Sequence, residues 1–343
     1  MSQSTDQTGR HRLLPDGDRA GDPVGEQIDP STSPMGSSVN TDSSPDKSVS
    51  AVLRRHSVTS ASGQKVVMRQ ELGKRRLQRL VAELGERDRQ ILDAVAAHRF
   101  LTTAQMTDLL FADLSPTSQQ RIPQRVLARL RRVGLLGTLP RRVGGVTAGS
   151  QGLIHYLTEP GQRLVTLDDP QRRRRRWYEP SDRFAAHYLA VADVRIALEL
   201  AHRAKQLELV QHQVEPATWR QYDGPRGVRS ILKPDLYVET ATQPDSAYVD
   251  TWFIEVDLGN ENIPTLVGKC RSYEQYRRQG IEQQQGGFPW VLWLLHGKNA
   301  ERIERRRTAL AKALAADKTL PASLFQILTP DQLIPTMAKG AAL

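Results

Sequence analysis

Trp252–Asn262 reads WFIEVDLGNEN. Its first half has the composition of a buried strand, aromatic and β-branched, with no Gly or Pro before Gly259. Side chains on a strand alternate between faces, so Glu255 and Asp257 share one face while Ile254, Val256 and Leu258 share the other. Two neighbouring carboxylates repel each other, and burying either one alone is expensive. Water, a cation or a basic partner must compensate them, and which of these does so bears on what the protein does.

The flanking sequence gives this strand a context. Strand-like segments fall near 207–214, 231–239, 248–258, 289–295 and 323–328, with helical patterns over 184–205, 263–279 and 300–316. The order is helix, three strands, helix, strand, helix, strand, an α/β layer architecture. In ILKPDLYVE (231–239), Pro234-Asp235 begins or interrupts the strand before the acidic one, and Glu239 shares the face of Asp235. In TLVGKCRSYEQYRRQ (265–279), helical spacing puts Leu266, Lys269, Cys270, Tyr273 and Tyr276 on one stripe facing the sheet. Phe288, Trp290 and Trp293 are expected in the core.

This order of elements, with a Pro-Asp and then an acid-x-residue pair on the following strand, resembles the PD-(D/E)XK nuclease-like superfamily. The resemblance implies that Asp235 and Glu255 coordinate Mg2+ or Mn2+, hard cations suited to carboxylate and water oxygens. Such an ion polarises a scissile phosphate and activates the attacking water. The family's lysine position holds Asp257 here. Lys269 is the candidate replacement and Asp257 a candidate third ligand, so the expected site is Asp235, Glu255, Asp257 and Lys269. A degenerate core that keeps the shape without cleavage is the alternative.

The chain has 343 residues, enough for two modest domains, and a formal charge of +10. The first 50 residues carry −4, so the remainder carries +14. A basic folded part points to polyanions, most often nucleic acid. A single cysteine, Cys270, excludes an intrachain disulfide framework. No apolar run approaches the roughly 20 residues that span a bilayer, and the N-terminus does not read as a secretory signal. The expected setting is cytoplasmic, with no membrane partner.

Residues 1–65 are rich in Ser, Asp, Pro, Gly and Thr, without aromatics, and read as a disordered tail. Helical periodicity then begins, with Glu86-Arg87-Asp88-Arg89 opening a second helix. LTTAQMTDLLF (101–111) follows, with Thr102 or Thr103 as N-cap. In SPTSQQRIPQRVLARLRRVGLL (115–136), Ser115 is a natural N-cap and Pro116 an N1 residue. Ile122, Val126, Leu130 and Val133 make one apolar stripe, and Pro123 marks either a bend or a later start. Strand candidates at 135–139 and 153–157 enclose the Gly-rich PRRVGGVTAGSQG (140–152). LTEPGQRLV (157–165) opens a closing helix at Thr158.

Three helices, a hairpin with a basic tip and a closing helix resemble the winged helix-turn-helix superfamily. The resemblance implies that the third helix enters the major groove and that the wing meets the flanking backbone. Arg121, Gln124, Arg125 and Arg132 lie opposite the apolar stripe, and Arg and Gln can read guanine and adenine bidentately. Arg141 and Arg142 suit phosphate contacts. Residues 69–142 hold fifteen basic and seven acidic side chains, which favours double-stranded DNA as partner over a merely solvated helix surface.

The fold class expected is thus α+β and multidomain. The parts are a tail (1–65), a winged helix-turn-helix (66–170), a basic linker (171–182), an α/β restriction-endonuclease-like domain (183–330) and a C-terminal tail (331–343). The linker contains QRRRRRWYEP (171–180), either a phosphate clamp or a solvated run. His187 sits on an apolar helical face and reads as a satisfied core histidine. Asp193 on the same helix is a weaker candidate for approach to the acids.

HYLAVADVRIAL (187–198) and IEVDLGNENIPTLVGKCRSYEQY (254–276), behind the winged helix, resemble the replication-relaxation family of plasmids and other mobile elements. The resemblance covers about 86–316 and implies a role in replication, DNA relaxation or mobilisation. A relaxase or replication initiator is a possible partner, and a homodimer is possible. The alternatives are a Mg2+-dependent DNA endonuclease or nickase, and a winged-helix transcriptional repressor whose C-terminal domain dimerises.

Overall fold

A computed structural model describes residues 9–12, 74–142, 152–168, 184–224, 227–244, 246–297 and 299–340. The linker 171–182, the wing tip 143–151 and the tail apart from residues 9–12 lie outside the described residues, as do the side chains of Arg141 and Arg142.

In chain order the described elements are β1 (Arg10–Arg12), α1 (Lys74–Glu83), α2 (Glu86–His98), β2 (Leu101–Thr102), α3 (Thr103–Leu110) and α4 (Pro116–Arg132). β3 (Leu136–Arg142), β4 (Leu153–Leu157), α5 (Glu159–Asp168), α6 (Ala185–Arg203), β5 (Glu208–Val214), β6 (Arg220–Asp223) and β7 (Arg229–Leu232) follow. The chain continues with β8 (Leu236–Ala241), β9 (Tyr248–Asp257), α7 (Ile263–Arg277), β10 (Trp290–Leu295), α8 (Ala300–Ala316), β11 (Phe325–Leu328) and α9 (Pro330–Lys339). The class is mixed α and β, built around a mixed sheet.

That sheet has the order β11-β10-β9-β8-β5. β5, β8 and β9 run antiparallel, while β9, β10 and β11 run parallel, as the intervening helices α7 and α8 require. Both faces are covered. On one, α6 and α9 pack Val191, Val194, Leu198, Leu333 and Met337 against Trp252, Ile254 and Val256. On the other, α7 and α8 pack Leu266, Tyr273, Tyr276 and Leu310 against Phe253, Val291 and Trp293. The doubly covered strands explain why β10, WVLWLL, is apolar at every position.

Three parts of this arrangement were not anticipated. The segment read as one strand over 231–239 is broken by Lys233-Pro234-Asp235 into β7 and β8, because Pro cannot donate to a ladder. β7 instead closes a separate two-stranded ribbon with β6. Most of the segment read as tail (331–343) belongs to α9, Pro330–Lys339, capped by Thr329 and Gln332 and buried through Leu333 and Met337. Within the N-terminal tail, β1 pairs antiparallel with the start of β9.

The N-terminal elements form a second core around Ile91, Leu92, Leu101, Met106, Leu127, Leu130 and Leu164. Thr102 caps α3 in a reciprocal box with Gln105. α4 runs without a break from Pro116 through Pro123, whose ring is buried, to Arg132, so the helix does not start late there. Leu127 and Leu130 centre the buried face, with Ile122, Val126 and Val133 at its margins. Sheet order β2-β4-β3 ties the hairpin back to the start of α3. Gly161 explains the turn into α5: a Cβ there would stand 2.2 Å from the Leu135 carbonyl oxygen, and Thr158 Oγ1 accepts from its N–H.

α6 joins the two cores. Ala192 packs with the N-terminal helices, while its neighbours Val191 and Val194 pack on the sheet. Gln105 Nε2 donates to the Leu189 carbonyl at 2.9 Å and to Asp193 Oδ1 at 2.6 Å. Arg203 donates to the carbonyls of Asp108 and Leu109, which close α3.

Candidate carboxylate site and nucleic-acid interface

Strand register brings Asp235 and Glu255 together. Leu236 pairs with Ile254, so Asp235 stands beside the C-terminal end of β9. There Asp235 Oδ2 accepts from the Val256 amide at 2.8 Å, and its Oδ1 lies 3.0 Å from His187 Nε2. Glu255 projects toward α7, where Tyr273 donates to its Oε1 at 2.6 Å and Lys269 Nζ stands 3.8 Å from its Oε2. Lys269 also pairs with Glu261 at 3.0 Å. Burial, reinforced by the charge of Asp235, raises the Glu255 carboxyl well above the usual carboxylate range, against Lys269, Tyr273 and His187. Burial works against the Lys269 ammonium, but Glu255 and Glu261 outweigh it and hold its pKa up.

Asp257 departs from the expectation. Its carboxylate is gripped by Nε and Nη2 of Arg306 from α8, and Gly259 N–H, at a positive φ that suits glycine, donates to its Oδ1. The opening puzzle therefore has two answers. Asp257 is compensated by a guanidinium, and Glu255 by Lys269 and Tyr273, with burial pushing its carboxyl up toward the neutral form. Asp235, Glu255 and Lys269 gather as expected, while Asp257 turns to its own cation.

Among the described residues, no group of three or more His, Cys, Asp or Glu side chains is arranged to hold a metal ion. An all-protein cage is thus not built. Mg2+, however, is commonly held by one or two carboxylates together with substrate phosphates and water. Asp235 and Glu255 fit that sparser donor set: two carboxylates meet at the end of β9, and Glu255 Oε2, with Lys269 Nζ at 3.8 Å, is not the oxygen that Tyr273 engages.

His187 is the residue the sequence reading missed. It lies in the first turn of α6, bonded to Asp235, and it borders a small cavity with His98, Val214, Glu215 and Asp235. Burial lowers its pKa, but Asp235 and Glu255 outweigh burial and raise it. Its position at the end of the apolar stripe Val191-Val194-Leu198, one turn beyond the core, was the available signal. Asp193 faces Gln105 and the charge of His296, and its carboxyl is raised chiefly by burial. Glu239 accepts from Tyr237 at 2.8 Å on its own strand.

The α4 surface is the other candidate site. At about 100° per residue, Arg121, Arg125 and Arg132 fall within roughly 40° of one another and nearly opposite Leu127 and Leu130. All three are exposed, and no carboxylate pairs with them among the described residues. Gln124 beside them is half-buried. Arg129 on the same helix is different: it is bound to the buried Asp88 of α2 and anchors α4 from below.

A family model described as replication-relaxation matches residues 92–291. The chain belongs to the replication-relaxation family. The comparison with curated proteins returned no match. Among solved structures, the restriction endonuclease FokI is similar at 10% identity and a TM-score of 0.20, covering 80% of this chain and 74% of that one. FokI bound to DNA gives the same identity and TM-score over 80% and 73%. At that TM-score the likeness bears on neither fold nor function. No described helix is long and apolar enough to cross a membrane.

Proposed function

We propose that this protein grips duplex DNA through a winged helix-turn-helix formed by α2 to β4, with α4 as the reading helix. Its work is in replication, relaxation or mobilisation of a plasmid or other mobile element. The observation that carries the reading is the row Arg121, Arg125 and Arg132, exposed and, among the described residues, without carboxylate partners, on a helix whose opposite side is fixed by Leu127 and Leu130 and which the Arg129–Asp88 pair ties to α2. Unpaired guanidiniums on a rigid helix suit phosphate and guanine contacts. The three-stranded order β2-β4-β3, which ties the hairpin to the helices, supports the winged form. Fluorescence anisotropy on a labelled duplex tests it. Arg121→Ala/Arg125→Ala should weaken binding about tenfold or more at moderate salt, and unchanged affinity rejects α4 as the reading helix.

A second reading, a metal-dependent endonuclease or nickase, is favoured by the convergence of Asp235, Glu255 and Lys269 at the end of β9 within an α-β-β-β-α-β frame. Asp235 and Glu255 would hold Mg2+ or Mn2+, and that ion would supply charge to a scissile phosphate and lower the pKa of water. His187 orients Asp235, and Lys269 and Tyr273 hold the Glu255 carboxyl group in position. Incubation of supercoiled plasmid with Mg2+ or Mn2+ decides it. Nicking that Asp235→Ala/Glu255→Ala loses supports cleavage, whereas no nicking by the wild-type protein leaves DNA binding alone.

A further inference from the structure

The β6–β7 ribbon is held firmly on one side and open on the other. Alternation puts Tyr222 and Leu232 on the inner face, where they join the core of Tyr276 and Phe288. Arg220 pairs with Glu282 at 2.9 Å, and Gln279 exchanges two hydrogen bonds with the Asp223 backbone. At the base of the ribbon the buried Thr218 hydroxyl donates to the Pro234 carbonyl at 2.6 Å. The outer face carries Trp219, Gln221, Asp223, Arg229, Ile231 and Lys233, with Asp223 directly across from Arg229. Trp219 is 37% exposed, Ile231 46% and Val228, at the ribbon's tip, 64%. Lys233 Nζ lies over the Trp219 ring, 4.6 Å from its centroid. The Trp219 indole N–H donates to Glu215 Oε1 at 3.2 Å, which holds the ring in place, and a ribbon that leaves part of an indole and two aliphatic side chains in water is a surface open to a partner.

We infer that this outer face binds single-stranded DNA, with Trp219 stacking an unpaired base and Lys233 and Arg229 contacting phosphates. Several features favour a nucleic acid over a protein. The described cations at this face, Lys233 and Arg229, are exposed, and the folded part of the chain is strongly basic. Single-strand sites combine aromatic platforms with a positive track for the backbone. Lys233 over one face of the ring places a cation able to meet a phosphate immediately beside the indole. Lys233 also precedes Asp235 by two residues across the buried Pro234. A strand held on the ribbon is thereby held next to the carboxylate end of the sheet. The inference rests on the proposed DNA-directed function and adds to it an unpaired strand as second ligand, as opening or processing of a duplex would generate.

The test measures anisotropy of a labelled 15-nucleotide oligo(dT) and of a duplex on the full chain. Trp219→Ala should weaken oligo(dT) binding at least about fivefold, the lower bound for one lost stacked base, while Trp219→Phe retains most of it. Lys233→Gln should lower the slope of log affinity against log salt by about 0.7. All three variants should bind duplex like the wild type, which also reports that they fold, and Arg121→Ala/Arg125→Ala should show the converse pattern. A wild-type chain that binds duplex but not oligo(dT), or a Trp219→Ala/Lys233→Gln chain with unchanged oligo(dT) affinity, overturns the inference and leaves the α4 reading standing. Loss of both ligands in the wild type sinks both. If Ile231→Glu dissolves a dimer in sedimentation while oligo(dT) affinity is unaltered, the face belongs to a second copy of the chain instead.

Discussion

Replacing Arg306 with alanine strands a buried charge. Asp257 has a side-chain exposure of 4% and Arg306 one of 16%, and two guanidinium nitrogens engage the carboxylate. A third contact runs from Arg306 to the Glu261 carbonyl at 2.7 Å. In Arg306→Ala the carboxylate keeps the Gly259 amide but loses its counter-charge. Removing one partner of a buried pair costs about 3–5 kcal/mol, most of it from the charge left behind. For a folded part of this size that is a fall in Tm of roughly 10 °C. Urea unfolding followed by far-UV circular dichroism measures it. Asp257→Asn/Arg306→Met should recover most of the loss, because the double variant leaves neither charge unpaired. A loss below about 1 kcal/mol in Arg306→Ala would refute the claim that the guanidinium is what makes Asp257 tolerable, and would return Asp257 to the pool of cation ligands.

Glu255 gives a pH-dependent prediction. Its folded pKa is raised, so the folded chain retains a proton that the unfolded chain releases. Stability is full below the unfolded value and falls as pH rises toward the folded one. Glu255→Gln should therefore be more stable than the wild type at neutral pH, with a Tm difference that grows from pH 5 upward; a constant difference contradicts a raised carboxyl. Mg2+ should narrow that difference if Asp235 and Glu255 bind it, because the ion stabilises the ionised wild-type site and not the variant. Gln105→Ala removes the two bonds that its side chain makes to α6 and leaves Asp193 without its amide donor, so a loss of about 1–3 kcal/mol is expected by chemical denaturation.

Much of the carboxylate site could be read from spacing. The period of two puts Glu255 and Asp257 on one face, and the period of 3.6 puts Lys269 and Tyr273 on the stripe that faces the sheet. Each is a local rule acting within one element. The ligands that decide the electrostatics come from far along the chain: Arg306 lies 49 residues from Asp257 and His187 lies 48 from Asp235. No periodicity links such pairs; only the packing of α8 and α6 against the sheet does. The same limit hid the ribbon. ILKPDLYVE has the composition of one strand, and only the missing N–H of Pro234 announces the break. α9 is hard to read from sequence because its large apolar residues, Leu333, Ile334 and Met337, are few and Pro335 interrupts the pattern.

The salt dependence of duplex binding is the most direct test of the proposal that α4 is a reading helix. Each phosphate contact through Arg121, Arg125 or Arg132 contributes about 0.9 to the slope of log affinity against log salt. If all three meet the backbone, replacing them with alanine should flatten the slope by about 2.7, and a contact to a base edge in place of a phosphate lowers that figure while adding sequence preference. A triple variant with the wild-type slope and wild-type affinity would contradict a DNA-gripping role for α4.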